Sequence, residues 1–213
     1  MLLAAGLWMA TAPSQDAQAQ QAEPPQMKAP PVGVQKPPRK RPHSKSIPES
    51  PLERAKMLDN LYAHLATAED EQAAERAARA IMRLWHVSGS DTVEVLMERA
   101  LKAVNDRRPE LALKLLDAVT ELAPDYAEGW SQRAHVLYHE NEVERALGDL
   151  RRALALDPNH FKALDALGNI LREIGQKRGA LKAFEKLLEV HPFWPGAREA
   201  VEELRREVGG QGI

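Results

Sequence analysis

The chain has 213 residues, with 29 Lys and Arg against 31 Asp and Glu, 44% hydrophobic side chains and no cysteine. Without cysteine it has no disulfide, thiolate metal site, thioether lipid anchor or thiol nucleophile. Residues 1–51 hold six basic and three acidic side chains, net +3, whereas residues 52–213 hold 23 basic and 28 acidic, net −5; a mildly acidic body argues against nucleic acid as a partner.

Leu2 to Ala10 is a short, mostly apolar run, and Ala17-Gln18-Ala19 is a small-x-small cleavage pattern. Together they read as the later parts of a secretory signal peptide over 1–19, without a basic segment ahead of the apolar run. The run is too short to cross a bilayer, which takes about 20 apolar residues. The expectation is an exported, periplasmic protein; the alternative is a cytoplasmic co-factor subunit of a larger complex.

Residues 20–51 are polar and proline-rich, with Pro24, Pro25, Pro30, Pro31, Pro37, Pro38, Pro42, Pro48 and Pro51. Such a segment buries too little apolar surface to offset its ordering entropy and is expected to be a disordered tether. Its basic cluster, Lys36, Arg39, Lys40, Arg41, His43 and Lys45, is either solvated linker charge or a weak foot on anionic membrane or wall polymer.

Residues 52–91 predict a degenerate helical hairpin. Leu58, Leu61, Tyr62 and Leu65 share one helical face, and Ala77, Ala78, Ile81, Met82 and Trp85 another. Ala66 to Asp70 is the predicted turn, and Ser90 or Asp91 is placed to cap the next helix. With its register starting at Asp59, 34 residues before Val93, this hairpin is expected to precede the downstream hairpins as an atypical terminal repeat.

Pro124, Pro158 and Pro192 then recur at a fixed spacing of 34 residues, without insertion or deletion. Three segments share this register, 93–126, 127–160 and 161–194; they form a three-repeat region, 92–192 when counted to the last proline, in an organised part that runs from about Pro51 to Val208. Small residues stand at the eighth position (Ala100, Ala134, Gly168) and the twentieth (Ala112, Ala146, Ala180), where paired helices approach closely. Leu96, Trp130 and Leu164 occupy the fourth position, with Trp130 expected to be buried between hairpins. The proline closes each second helix, because it lacks an N–H and disfavours helix in the residue before it. Arg99 and Arg133 depart from the apolar character that Leu167 shows at the seventh position; their stems are expected along apolar surface with the heads in water. A last amphipathic helix over 195–208, apolar at Ala197, Ala200, Val201 and Leu204, reads as a solvating cap.

A 34-residue helix–turn–helix period with these columns resembles the tetratricopeptide (TPR) repeat. The resemblance implies an all-α superhelix of stacked hairpins, preceded here by the disordered proline-rich segment, whose inner helices line a concave groove. Carried over column by column, that groove holds Glu94, Met97 and Leu101 in the first repeat. The second supplies Glu128, Ser131, His135, Tyr138 and His139, and the third Lys162, Asp165, Asn169 and Arg172. Chaperone-binding members of the family hold a C-terminal acid in a Lys/Asn/Arg clamp. Only Lys162 and Asn169 are similar to it, so a peptide or helix with a basic or amphipathic face fits better. The other reading is that the apolar part of the groove packs against the chain's own N-terminal hairpin.

Several stretches are also similar to small exported TPR proteins of alphaproteobacteria: Ala68 to Ala73, Leu84-Trp85, Ser88 to Asp91, Leu113 to Val119 with Trp130, and Glu207 to Ile213. That likeness implies a bacterial cell-envelope interaction protein without catalysis. His135 and His139, four apart, are the best candidate for a metal pair, but zinc needs at least a third ligand, and groove lining is the preferred reading. The sequence thus points to a non-enzymatic scaffold, with no cofactor and no metal, that binds a peptide or helix of an envelope protein and serves envelope assembly or integrity.

Overall fold

The computed structural model describes residue 48 and residues 50–210. The expected signal peptide, nearly all of the proline-rich tether and the last three residues lie outside them. Among the described residues every regular element is helical: α1 (Pro51–Ala66), α2 (Glu71–Trp85), α3 (Asp91–Asn105), α4 (Pro109–Leu122), α5 (Ala127–His139), α6 (Val143–Leu156), α7 (Phe161–Glu173), α8 (Lys177–Val190) and α9 (Ala197–Gly209).

The helix limits follow from local chemistry. Pro51 and Pro109 occupy first-turn positions, where the missing N–H costs nothing. Asp70 caps α2 by accepting the Ala73 N–H at 2.6 Å, and Ser90 caps α3 through Val93 at 3.5 Å. The turn inside each hairpin is the same turn three times. Arg107, Asn141 and Gly175, each 34 apart, all take positive φ, at 56°, 63° and 78°. Each is followed by the same closing bond back into the first helix: Arg108 N–H to Ala103 O at 2.9 Å, Glu142 N–H to Leu137 O at 2.8 Å and Gln176 N–H to Leu171 O at 2.8 Å. Only the third copy uses the glycine that this backbone favours.

Helices α3–α4, α5–α6 and α7–α8 pair into hairpins that stack in order, α4 on α5 and α6 on α7, and α9 closes the stack on α8. The small columns are interior: Ala112, Ala146 and Ala180 are fully buried. At Gly168 a β-carbon would stand 2.8 Å from the Phe184 ring, so the contact between α7 and α8 requires its absence. Leu204, Val201, Ala200 and Ala197 bury the inner stripe of α9.

Two expectations about side chains need correction. Arg133 does not keep its head in water. Its Nε and Nη2 donate to Asp149 at 2.7 and 2.8 Å, and its Nη1 donates to Asp117 and Thr120 of the preceding hairpin at 3.0 and 2.9 Å. Trp130 is only half-buried; its indole N–H donates to the Pro124 carbonyl at 3.1 Å and its ring lies under the Arg133 guanidinium.

A third correction concerns α1–α2. This hairpin does not stack in front of α3 as a terminal repeat. It folds back over the edge formed by the inter-repeat turns, and its core residues Tyr62, Leu65, Ile81 and Trp85 join those of α5 to α9, while α3 and α4 form a separate cluster with Val136. Its helices are also out of the 34-residue phase: α1 and α2 are joined through residues 67–70, whereas the phase of Arg107, Asn141 and Gly175 would put that turn near residue 73, inside α2.

Candidate partner groove

The fold-back is held by aromatic and polar contacts. The Trp85 indole stacks on the His160 ring at 3.8 Å and 1° between planes, and touches Phe161 at 4.5 Å. Its N–H donates to Tyr62 Oη at 3.2 Å; Tyr62 donates in turn to Asp157 Oδ2 at 2.6 Å. The Tyr126 hydroxyl donates to the Trp85 carbonyl at 2.6 Å. Burial, with Asp157 and Glu128 close by, pushes the Tyr62 phenol well above its usual range, and burial beside Glu128 and Glu94 does the same for Tyr126.

Beneath the stack lies a buried pair. His160 caps α7: its Nδ1 accepts the Ala163 N–H at 3.2 Å, which puts the ring proton on Nε2, and Nε2 donates to Glu128 Oε2 at 2.9 Å. Burial pushes the Glu128 carboxyl up, but the hydrogen bonds from His160 and the Gln132 amide, with the Lys162 charge, outweigh it and hold the group below the usual carboxylate range. His160 is fully buried and Glu128 is 3% exposed. Glu128 therefore belongs to the hairpin anchor, not to an open surface. Met97 is likewise interior, packed in the α3–α4 cluster.

Between the neighbouring inner helices α5 and α7 lies a cleft of about 370 Å³. Of the residues expected to face a groove, it brings together Ser131, His135, Tyr138 and His139 from α5 with Lys162, Asp165 and Asn169 from α7. Arg172 stands beyond it, donating to Asn169 Oδ1 at 2.9 Å with its guanidinium over Phe184. Glu94 and Leu101, half-buried on α3, do not line it. The floor is apolar, from Ala134, Leu150, Ala166 and Ile170, and Trp194 closes one end. Trp194 was legible as the last position of its repeat, the column that also holds Tyr126 and His160.

The rim is set by burial and neighbours. Burial, then the charges of His139 and Lys162, lowers the His135 imidazole below its usual range. Burial raises Asp165 even though Trp194 donates to it at 3.0 Å. Tyr138 donates to Glu173 across the gap between α5 and α7. The Lys162 ammonium is exposed at the mouth. The His135 and His139 rings sit 4.5 Å apart, yet no group of three or more His, Asp or Glu side chains converges among the described residues. A polar rim that carries the Lys162 cation, over an apolar floor, is suited to gripping a chain segment.

Known proteins agree with this architecture. Tetratricopeptide-repeat family models match residues 127–160 and 161–192. A TPR repeat-containing protein of Rhizobium etli is 35% identical over 153 residues, covering 72% of this chain and 75% of that protein. The Sgt2 TPR domain of Aspergillus fumigatus shares the fold at 22% identity and a TM-score of 0.52, over 57% of this chain and 82% of that one. The first TPR domain of Spaghetti (RPAP3), solved bound to an HSP90 peptide, does so at 20% identity and 0.53, over 56% and 98%.

Proposed function

Because this chain belongs to the tetratricopeptide-repeat proteins, we propose that it is a non-enzymatic adaptor that takes a peptide or helix of a cell-envelope protein into the α5–α7 cleft and serves envelope assembly or integrity. One observation carries the reading: the N-terminal hairpin is anchored on the turn edge, and the cleft between the inner helices stays open with an apolar floor and a polar rim. A shared-fold TPR domain solved with a peptide supports it. The envelope part rests on the Leu2–Ala10 run and the Ala17-Gln18-Ala19 pattern, which lie outside the described residues.

The test is affinity capture from envelope extract with the full chain and with a His135/Tyr138/Lys162 triple alanine variant. The three positions are exposed or half-exposed, so the variant should fold. The reading expects a partner lost from the variant. Equal recovery of the same partners would refute the cleft. N-terminal sequencing of the natively expressed protein addresses export: a start at Gln20 or Gln21 supports it, and an intact Met1 on cytoplasmic protein refutes it.

A further inference from the structure

The structure assigns a second docking surface: the α3–α4 end of the stack fits an amphipathic helix of another protein that presents a carboxylate with a hydroxyl three residues later. The surface is separate from the α5–α7 cleft.

The next hairpin supplies the template. At the seventh repeat position Arg133 reaches across to the preceding helix and grips Asp117 and Thr120 at 3.0 and 2.9 Å. These two residues are three apart on α4, so they stand on one face of it. Arg99 occupies the same position one repeat earlier. It is exposed and makes no ion pair or hydrogen bond among the described residues. Its own hairpin gives it no acid either, because Leu115 stands where Asp149 pairs with Arg133. No apolar residue of α1 or α2 joins the α3–α4 cluster. On the same two helices, Leu96, Leu111 and Leu115 are half-buried against the α3–α4 cluster and Leu122 is 59% exposed. An exposed guanidinium on a hairpin with exposed apolar side chains is half of the joint that the chain completes between α4 and α5.

The chain does not hold the other half. An acid followed three residues later by Ser or Thr occurs at two places in the whole sequence, Asp117 with Thr120 and Glu128 with Ser131. The first pair is already engaged by Arg133, and Glu128 is buried against His160. Residues 1–47 contain only Asp16 and Glu23 as acids, neither with that spacing. Neither the N-terminal segment nor a second copy thus supplies the pattern, and the occupant is a different protein.

The probe is a lactam-stapled helical peptide with the sequence of residues 108–124, which carries the Asp117–Thr120 pair; stapling is needed because free helices of this length are marginal in water. It is titrated into the full chain by fluorescence anisotropy. The expected result is saturable binding that weakens at least tenfold for Arg99→Glu and is restored on that variant by Asp117→Lys in the peptide. Arg99 is exposed, so an unchanged melting temperature checks the variant's fold. Tyr138→Ala should leave the affinity unchanged, which separates this surface from the cleft. Absence of saturable binding, or affinity indifferent to the charge at position 99, would overturn the assignment.

Discussion

Trp85 and His160, 75 positions apart, lie face to face at 3.8 Å with their rings 1° from parallel. Through this contact the N-terminal hairpin becomes part of the repeat core, and the helix that would have begun the stack lies across its edge. Trp85→Ala should cost about 3–5 kcal/mol, because the ring is 6% exposed and also donates to Tyr62. A chemical denaturation midpoint measures it; a cost under about 1 kcal/mol would place the ring in solvent. By the same reasoning Trp130→Ala, at a half-exposed indole, should cost clearly less.

Breaking the buried pair should also be costly. Glu128→Ala strands the His160 Nε2–H, and a buried donor left without its partner costs about 1–3 kcal/mol. A double-mutant cycle with His160→Ala should show strong coupling. Additive losses would contradict the geometry.

Arg107 takes a left-handed backbone, φ 56°, at the position where the third hairpin has Gly175. Arg107→Gly should therefore raise stability by up to about 1 kcal/mol, since L-residues pay a steric penalty there that glycine avoids. The reverse is expected at Gly168, whose β-carbon would strike the Phe184 ring at 2.8 Å; overpacking by Gly168→Ala should cost about 1–3 kcal/mol. Thermal melts of the two variants should shift in opposite directions.

Acid should weaken the fold from just below neutrality. Burial holds His191 below the usual histidine range, and its Nδ1 has no partner. The unfolded chain binds a proton near pH 6.5 that the folded ring resists, so stability is full above that pH and declines as pH falls through it. His135 adds in the same direction. His191→Phe, which keeps the edge contacts to Phe161 and Trp194, should flatten the melting temperature between pH 7.5 and 5.5. An unaltered slope would remove His191 as a cause.

Much of this was legible in residue columns. Pro124, Pro158 and Pro192 set the period, and the small residues at positions 8 and 20 marked the helix pairs, because both are local steric requirements. On α5 and α7 the column rule also found seven of the cleft residues. It failed at Glu128 and Met97, which are buried, and at Glu94, Leu101 and Arg172, which lie outside the cleft. Column rules assume that a hairpin meets only its neighbours, and Glu128 lies beneath the α1–α2 hairpin, which skips α3–α4 to reach His160. Two signals pointed there. The turn predicted at Ala66 to Asp70 falls short of the 34-residue phase, and aromatic rings recur at Tyr126, His160 and Trp194. The first sets α1–α2 apart from the repeats, and the second marks the edge that receives it.

The concave-face reading is tested most directly by placing a photo-crosslinking phenylalanine at Tyr138, in the α5–α7 cleft, or at Glu144, exposed on α6, in the natively expressed full chain. The account predicts a discrete partner adduct from position 138 and none from 144. Adducts of equal yield from both positions, or from 144 alone, would contradict it.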